Sequence, residues 1–159
     1  MNIKLRLTVM NFLQFAVWGS YLTSMGTYLF GIGLAENIGI FYAMQGIVSL
    51  FMPALIGIVA DRWIQAQKLL GICHLLAATF MVATGYYALS AAEVSFAPLF
   101  TLYSLSVAFY MPTLGLSNSV AYSGLGQAGL DTVKHFPPIR VWGTVGFICA
   151  MWCCDLAGF

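Results

Sequence analysis

The chain has 159 residues, of which 61% are apolar and only 7% are charged, and its formal net charge is +1. A typical soluble domain has about 25% charged residues, so this composition excludes a soluble enzyme and a disordered chain. It also excludes a nucleic-acid-binding protein, which needs a basic surface, and leaves an integral membrane protein.

Long uninterrupted apolar runs indicate membrane-spanning helices rather than the alternating strands of a barrel. A crossing takes about 20 residues, and the runs predict five helices, at about 7–34, 38–60, 69–90, 96–122 and 137–158. The first run is too long for the core of a signal peptide, so we expect it to be retained. The fifth is predicted to begin at Pro137 and Pro138, because proline fits the first turn of a helix. The predicted fold class is an all-α membrane protein with five transmembrane helices.

This arrangement of spans places every basic residue on one side of the membrane. The basic residues precede the first span or lie around the segments that join spans two to three and four to five; they are Lys4, Arg6, Arg62, Lys68, Lys134 and Arg140. The other side has Glu36, Glu93 and Asp155 and no basic residue. The positive-inside rule therefore predicts a cytoplasmic N-terminus.

The end of the second span carries a glycine and a charged pair. Asp61 and Arg62 follow Gly57 at the spacing of the first half of the pattern G-x-x-x-D-R-x-G-R. The second half departs from the pattern, since Ile64 stands where glycine is expected and Gln65 where a basic residue is expected. The pattern resembles the gating loop of the major facilitator superfamily, in which glycine allows close helix packing and the aspartate pairs with a cation or a helix N-terminus. The alternative is an ordinary charged loop.

Longer stretches resemble a more specific family. They are FMPALIG at 51–57, YMPTLGL at 110–116, FPPIRVWGTVGF at 136–147, NFLQF at 11–15 and WGS at 18–20. Together they resemble the bacterial nucleoside permeases of the nucleoside:proton symporter family, within the major facilitator superfamily, over nearly the whole chain. The resemblance implies transport of a nucleoside with a proton across the bacterial inner membrane. It also implies alternating access between two six-helix halves around a cavity.

The chain resembles only the first five of the family's twelve helices. It stops at Phe159, before a sixth helix, and so looks like the N-terminal part of a transporter whose C-terminal half is missing. Two other hypotheses fit the sequence. One is a membrane scaffold or regulator that moves nothing, and the other is a half-transporter that pairs with a second chain. The expected surroundings are the lipid bilayer, and neither a cofactor, nor nucleic acid, nor enzymatic chemistry is implied.

Span five carries the main site candidate. Arg140, Thr144 and Phe147 are spaced i, i+4 and i+7, so they share one helix face. A cation, a hydroxyl and an aromatic ring suit a nucleoside, since ribose hydroxyls need hydrogen-bond partners and the base needs an apolar wall. The resemblance implies that residues at these three positions contribute to the nucleoside site. The alternative is that Arg140 snorkels to the interface and that the other two are packing residues.

Span one has a polar face. Asn11, Gln14, Trp18 and Tyr21 fall within roughly 80° of arc at about 100° per residue. Buried amides cost free energy unless they are paired, so Asn11, Gln14 and Trp18 are predicted to line a cavity. The alternative is hydrogen bonding between helices.

Three further features receive structural interpretations. His74 is interpreted as a neutral histidine that shares one hydrogen bond, and the alternative is a proton relay. The cysteines are predicted to be small packing residues rather than disulfide partners or metal ligands. Four glycines are predicted to allow close helix packing, namely Gly39, Gly46, Gly143 and Gly146.

Overall fold

The computed structural model describes residues 2–158, which form six α-helices and one 3₁₀ turn and contain no strand. The helices are α1 (Ile3–Leu22), α2 (Ser24–Gly31), α3 (Ile38–Arg62), α4 (Ala66–Ser90), α5 (Phe96–Gln127) and α6 (Thr132–Leu156), and the 3₁₀ turn at Ala35–Asn37 precedes α3. The predicted all-α class is confirmed.

Four segments of the described chain are long and apolar enough to cross a membrane. They are Ala35–Arg62, Ala66–Ser90, Phe96–Gln127 and Thr132–Leu156. The α1 helix falls short because two basic residues and two amides, Lys4, Arg6, Asn11 and Gln14, interrupt its apolar sequence. The protein is therefore a multi-pass membrane protein whose first helix is the most polar of the long ones.

The run predicted as span one is divided at Thr23 into α1 and α2. The hydroxyls of Ser20, Thr23 and Ser24 all donate to backbone carbonyls of the preceding turn. Such back-bonding competes with the helical hydrogen bonds and bends helices. A cluster of three such residues accounts for the interruption, which the apolar pattern alone does not reveal.

The start of α6 also differs from the sequence prediction. Asp131 caps the helix by accepting from the backbone N–H of Val133 at 2.9 Å, so α6 begins at Thr132 rather than at Pro137. Pro137 and Pro138 lie in the second turn, where they lack the N–H that would bond to the carbonyl four residues earlier. The cap outweighs the preference of proline for the first turn.

Two compact units divide the chain, and α5 contributes to both. One unit combines the residues up to Gly31 with those from Ser117 onward. Its buried core is formed by side chains of α1, α5 and α6, namely Leu7, Ala121, Leu125 and Ile139. This unit contains the main site candidate.

The other unit spans Ile32–Leu116. Phe41 of α3 is fully buried among three rings of α5, those of Phe96, Phe100 and Tyr103. Beside it, Gln45 donates from Nε2 to the Tyr103 hydroxyl at 2.7 Å, so two buried polar groups satisfy each other across the α3–α5 contact. Pairing of this kind stabilises helices whose surroundings offer no water.

Candidate functional site

Helices α1 and α6 touch at two glycines. A Cβ added to Gly19 would lie 2.5 Å from the backbone oxygen of Phe147. A Cβ added to Gly146 would collide with the backbone carbonyl of Phe12. The backbones of the two helices are therefore in direct contact, and only residues without a side chain permit it.

The four glycine predictions have two outcomes. Close packing is confirmed for Gly143 and Gly146. For Gly39 and Gly46 it stays a prediction, since within residues 2–158 nothing beyond the neighbouring backbone of α3 lies within 4 Å of a Cβ added at either position. Helix α3 uses large side chains such as Phe41 for its contacts instead.

This close approach brings Arg140 of α6 onto Phe15 of α1. The Cζ atom of Arg140 lies 3.9 Å from the centre of the Phe15 ring, above its face. An arginine in this position is attracted to the electron-rich face of the ring. Gly143 provides the space, because a Cβ there would lie 2.6 Å from Cδ2 of Phe15 and 3.0 Å from Nη1 of Arg140. The guanidinium is thus held against α1.

Two more rings continue the cluster. The Trp18 ring meets the Phe147 ring edge to face, with the centroids 5.7 Å apart and an angle of 74° between the planes. The Phe15 and Trp18 centroids are 6.1 Å apart. The structure therefore joins three of the predicted residues, Arg140, Phe147 and Trp18, through Phe15, which the sequence analysis did not single out as a site residue.

Thr144 stands apart from this cluster. Its side chain is exposed, whereas Arg140 and Phe147 are half-buried. At about 100° per residue, Thr144 lies roughly a quarter-turn of the helix away from Gly143, which faces α1. The predicted face of α6 is therefore divided. Arg140 and Phe147 lie against α1, and the Thr144 hydroxyl points away from that contact.

The amides of α1 lie inside the protein. Asn11 is completely buried and donates from Nδ2 to the backbone oxygen of Leu7 at 3.1 Å, and Gln14 is also buried. The Asn11 bond lies within α1, so it is not the bond between helices given as the alternative. Cavity lining by Asn11 and Gln14 stays a prediction.

The charged pair after Gly57 lies in a helix rather than in a loop. Helix α3 continues to Arg62, so Asp61 and Arg62 form its last turn, and both are exposed. The backbone N–H groups of Trp63 and Ile64 both bond to the carbonyl of Val59, which completes the helix end. The helix therefore extends past Ala60, the predicted end of span two. A role in gating stays a prediction.

The geometry of His74 favours a neutral histidine that shares one hydrogen bond over a proton relay. Its Nδ1 lies 2.8 Å from the backbone oxygen of Leu70. Since a carbonyl only accepts, Nδ1 carries the proton in this bond. The ring also packs edge to face against Tyr110, with the centroids 6.0 Å apart. The side chain is thus fixed by its own helix and by one ring of α5.

The cysteines have different environments. Cys73 is buried, as predicted for a packing residue, whereas Cys149 and Cys153 are exposed on α6. Cys154 donates from Sγ to the backbone oxygen of Ser20 at 3.3 Å, which adds a polar contact between α6 and α1.

Comparison with known proteins establishes the family. The family model described as Nucleoside H+ symporter matches residues 1–159. The chain belongs to the nucleoside H⁺ symporter family.

Two relatives in this symporter family are from Escherichia coli (strain K12). Nucleoside permease NupG is 47% identical over 163 residues, which cover 100% of this chain and 37% of that protein. Xanthosine permease is 44% identical over 158 residues, which cover 98% of this chain and 36% of that protein. This chain thus spans little more than a third of the length of these relatives.

A solved structure in the family has the same fold. The crystal structure of nucleoside transporter NupG matches with a TM-score of 0.90 and 43% identity, over 100% of this chain and 38% of that one. The predicted fold, the N-terminal part of a major facilitator bundle, is confirmed by this likeness.

Proposed function

We propose that this chain forms part of a transporter that moves nucleosides together with protons across the bacterial cytoplasmic membrane. Transport proceeds by alternating access, in which the cargo site opens first to one side and then to the other. Membership of the nucleoside H⁺ symporter family supports this proposal. So do the names of the two relatives, a nucleoside permease and a xanthosine permease.

The observation that carries the proposal is the guanidinium of Arg140 on the face of Phe15, beside the rings of Trp18 and Phe147. Guanidinium N–H groups can hold two neighbouring ribose hydroxyls or a carbonyl of the base. Aromatic side chains supply a wall for the planar base. The exposed hydroxyl of Thr144 adds one donor or acceptor. Arg140, Thr144 and Phe147 form part of one wall of the nucleoside site, and the rest of the transporter, or a second chain, supplies the other.

Uptake by a chimera tests the proposal. In it, this chain replaces the matching part of the E. coli nucleoside permease, and the host cells lack their own nucleoside permeases. Labelled uridine or adenosine should accumulate, and a protonophore should prevent the accumulation. A chimera that reaches the membrane in normal amounts but accumulates neither nucleoside would contradict the proposal.

The 159-residue chain expressed alone separates the alternatives. We expect neither uptake nor calorimetric binding of uridine or adenosine, because one wall cannot enclose a nucleoside. Uptake by this chain alone would favour a half-transporter that pairs with a second copy. A scaffold is favoured if the chain alone and the chimera both fail to transport while the chain binds another transporter.

The proposed orientation places the N-terminus and Lys134 in the cytoplasm and Glu93 outside. Gln65 and Ala92 are both exposed and lie at opposite ends of α4. Cysteines introduced at these positions, on a background without the native cysteines, should label from opposite sides with an impermeant thiol reagent. Labelling of both from outside intact cells would rule out this orientation.

A further inference from the structure

We propose that Phe15 is a positioning residue for Arg140: its ring holds the guanidinium by the face and leaves the N–H edges available to the nucleoside. The inference rests on the proposed function and concerns a residue that is not among Arg140, Thr144 and Phe147, the predicted site residues on α6. Phe15 belongs to α1 and Arg140 to α6, so the pair also joins two helices.

The orientation of the ring is fixed by its surroundings. Phe15 is only 6% exposed, and the Trp18 ring lies 6.1 Å away, centre to centre. Trp18 in turn meets Phe147 edge to face. A ring confined in this way presents a defined face, and the Cζ atom of the guanidinium lies 3.9 Å from its centre.

The chemistry of the contact explains why a ring suits this position. A carboxylate partner would bind the guanidinium through its edge and occupy two of its N–H donors. A ring attracts the positive charge through its face and provides no oxygen to accept an N–H. Within residues 2–158, Arg140 has no ion pair or hydrogen bond through its side chain that would occupy those donors. All five remain for a ligand with hydroxyl or carbonyl groups.

Gly143 makes this geometry possible. A Cβ at this position would come closer to both the ring and the guanidinium than side chains tolerate, at 2.6 Å and 3.0 Å. The stack is therefore built by three residues, of which one supplies the charge, one the ring and one the space between the helices.

Fluorinated phenylalanines at position 15 of the chimera test the proposal. Fluorine withdraws electrons from the ring face while nearly preserving shape, so 4-fluoro-, 3,5-difluoro- and 3,4,5-trifluorophenylalanine should weaken the contact in steps. We expect the KM for uridine uptake to rise with each fluorine, and the maximal rate per transporter in the membrane to change little. The same series at Phe30, which is 72% exposed, is the control and should leave KM unchanged.

Natural substitutions give a second measurement. Phe15→Leu keeps an apolar side chain without a ring face, and it should raise KM by about 2- to 30-fold, the range expected from losing a cation–π contact. Phe15→Tyr keeps the face and should stay within about 2-fold of the original KM. Leucine changes packing as well as removing the ring face, so the fluorine series, which nearly preserves shape, decides between the two effects.

The outcomes distinguish this inference from the proposed function. If the unmodified chimera transports and the fluorine series at Phe15 is flat, the ring serves packing only and the inference is overturned while the function stands. If the unmodified chimera reaches the membrane and transports nothing, the proposed function is overturned and the inference with it.

Discussion

Replacing Arg140 with alanine in the chimera is expected to abolish nucleoside binding, and Arg140→Lys is expected to restore little of it. A guanidinium offers a rigid fork of five donors, whereas an ammonium is a compact point charge. Losing a charged donor from a site costs about 1.5–3 kcal/mol, which corresponds to about a 10- to 150-fold loss of affinity. Thr144→Val should cost less, since it removes one neutral hydrogen bond, worth about 0.5–1.5 kcal/mol.

Calorimetric titration of uridine into the purified chimera, together with uptake in cells, measures both effects. Lys134→Ala is the matched control, because Lys134 is an exposed basic residue in the first turn of the same helix. It should leave binding unchanged. Normal uptake by the Arg140→Ala variant would mean that Arg140 only anchors α6, as an interfacial arginine does.

The substitution Gly146→Ala is expected to destabilise the protein more than any other exchange of a glycine for alanine. The added methyl group would collide with the backbone carbonyl of Phe12, and a backbone cannot rotate away as a side chain can. Overpacking of this kind costs about 1–3 kcal/mol or more. It outweighs the gain of about 1 kcal/mol that alanine brings to a helix interior. Helices α1 and α6 must then separate, which also pulls Arg140 away from Phe15.

Thermal unfolding in detergent, followed by the amount of monodisperse protein, measures this effect. Gly71→Ala is the matched control, because Gly71 lies within α4 and, within residues 2–158, nothing beyond the neighbouring backbone of α4 lies within 4 Å of the added Cβ. The control should be as stable as the unmodified protein or slightly more so. Equal stability of the two variants would mean that α1 and α6 are not in close contact.

Much of the fold could be predicted because a bilayer leaves the chain few choices. Long apolar stretches must satisfy their backbone hydrogen bonds internally, and helices do so within one segment. Helix ends depend on single polar groups instead. Asp131 starts α6 ahead of Pro137, and the hydroxyls around Thr23 interrupt the first run. An apolar pattern does not contain that information, so both boundaries were predicted wrongly.

The candidate site was only partly predictable for a different reason. Spacing along α6 places Arg140, Thr144 and Phe147 on one face, but it does not say which part of that face meets another helix. The backbone contacts at Gly19 and Gly146 decide this, and they turn Arg140 toward Phe15 and Thr144 away from it. A contact between residues so distant in sequence leaves no periodic signal. In the sequence, only Gly19, Gly143 and Gly146 and the aromatic residues of α1 indicate this contact.

The stack of Arg140 on Phe15 has a consequence for the response of transport to pH. A carboxylate partner would lose its charge in acid and so release the arginine, whereas a phenyl ring has no proton to gain or lose. The contact therefore contains no carboxylate whose protonation could break it. In the proposed symporter, holding the cargo and taking up the driving ion thus fall to different chemical groups.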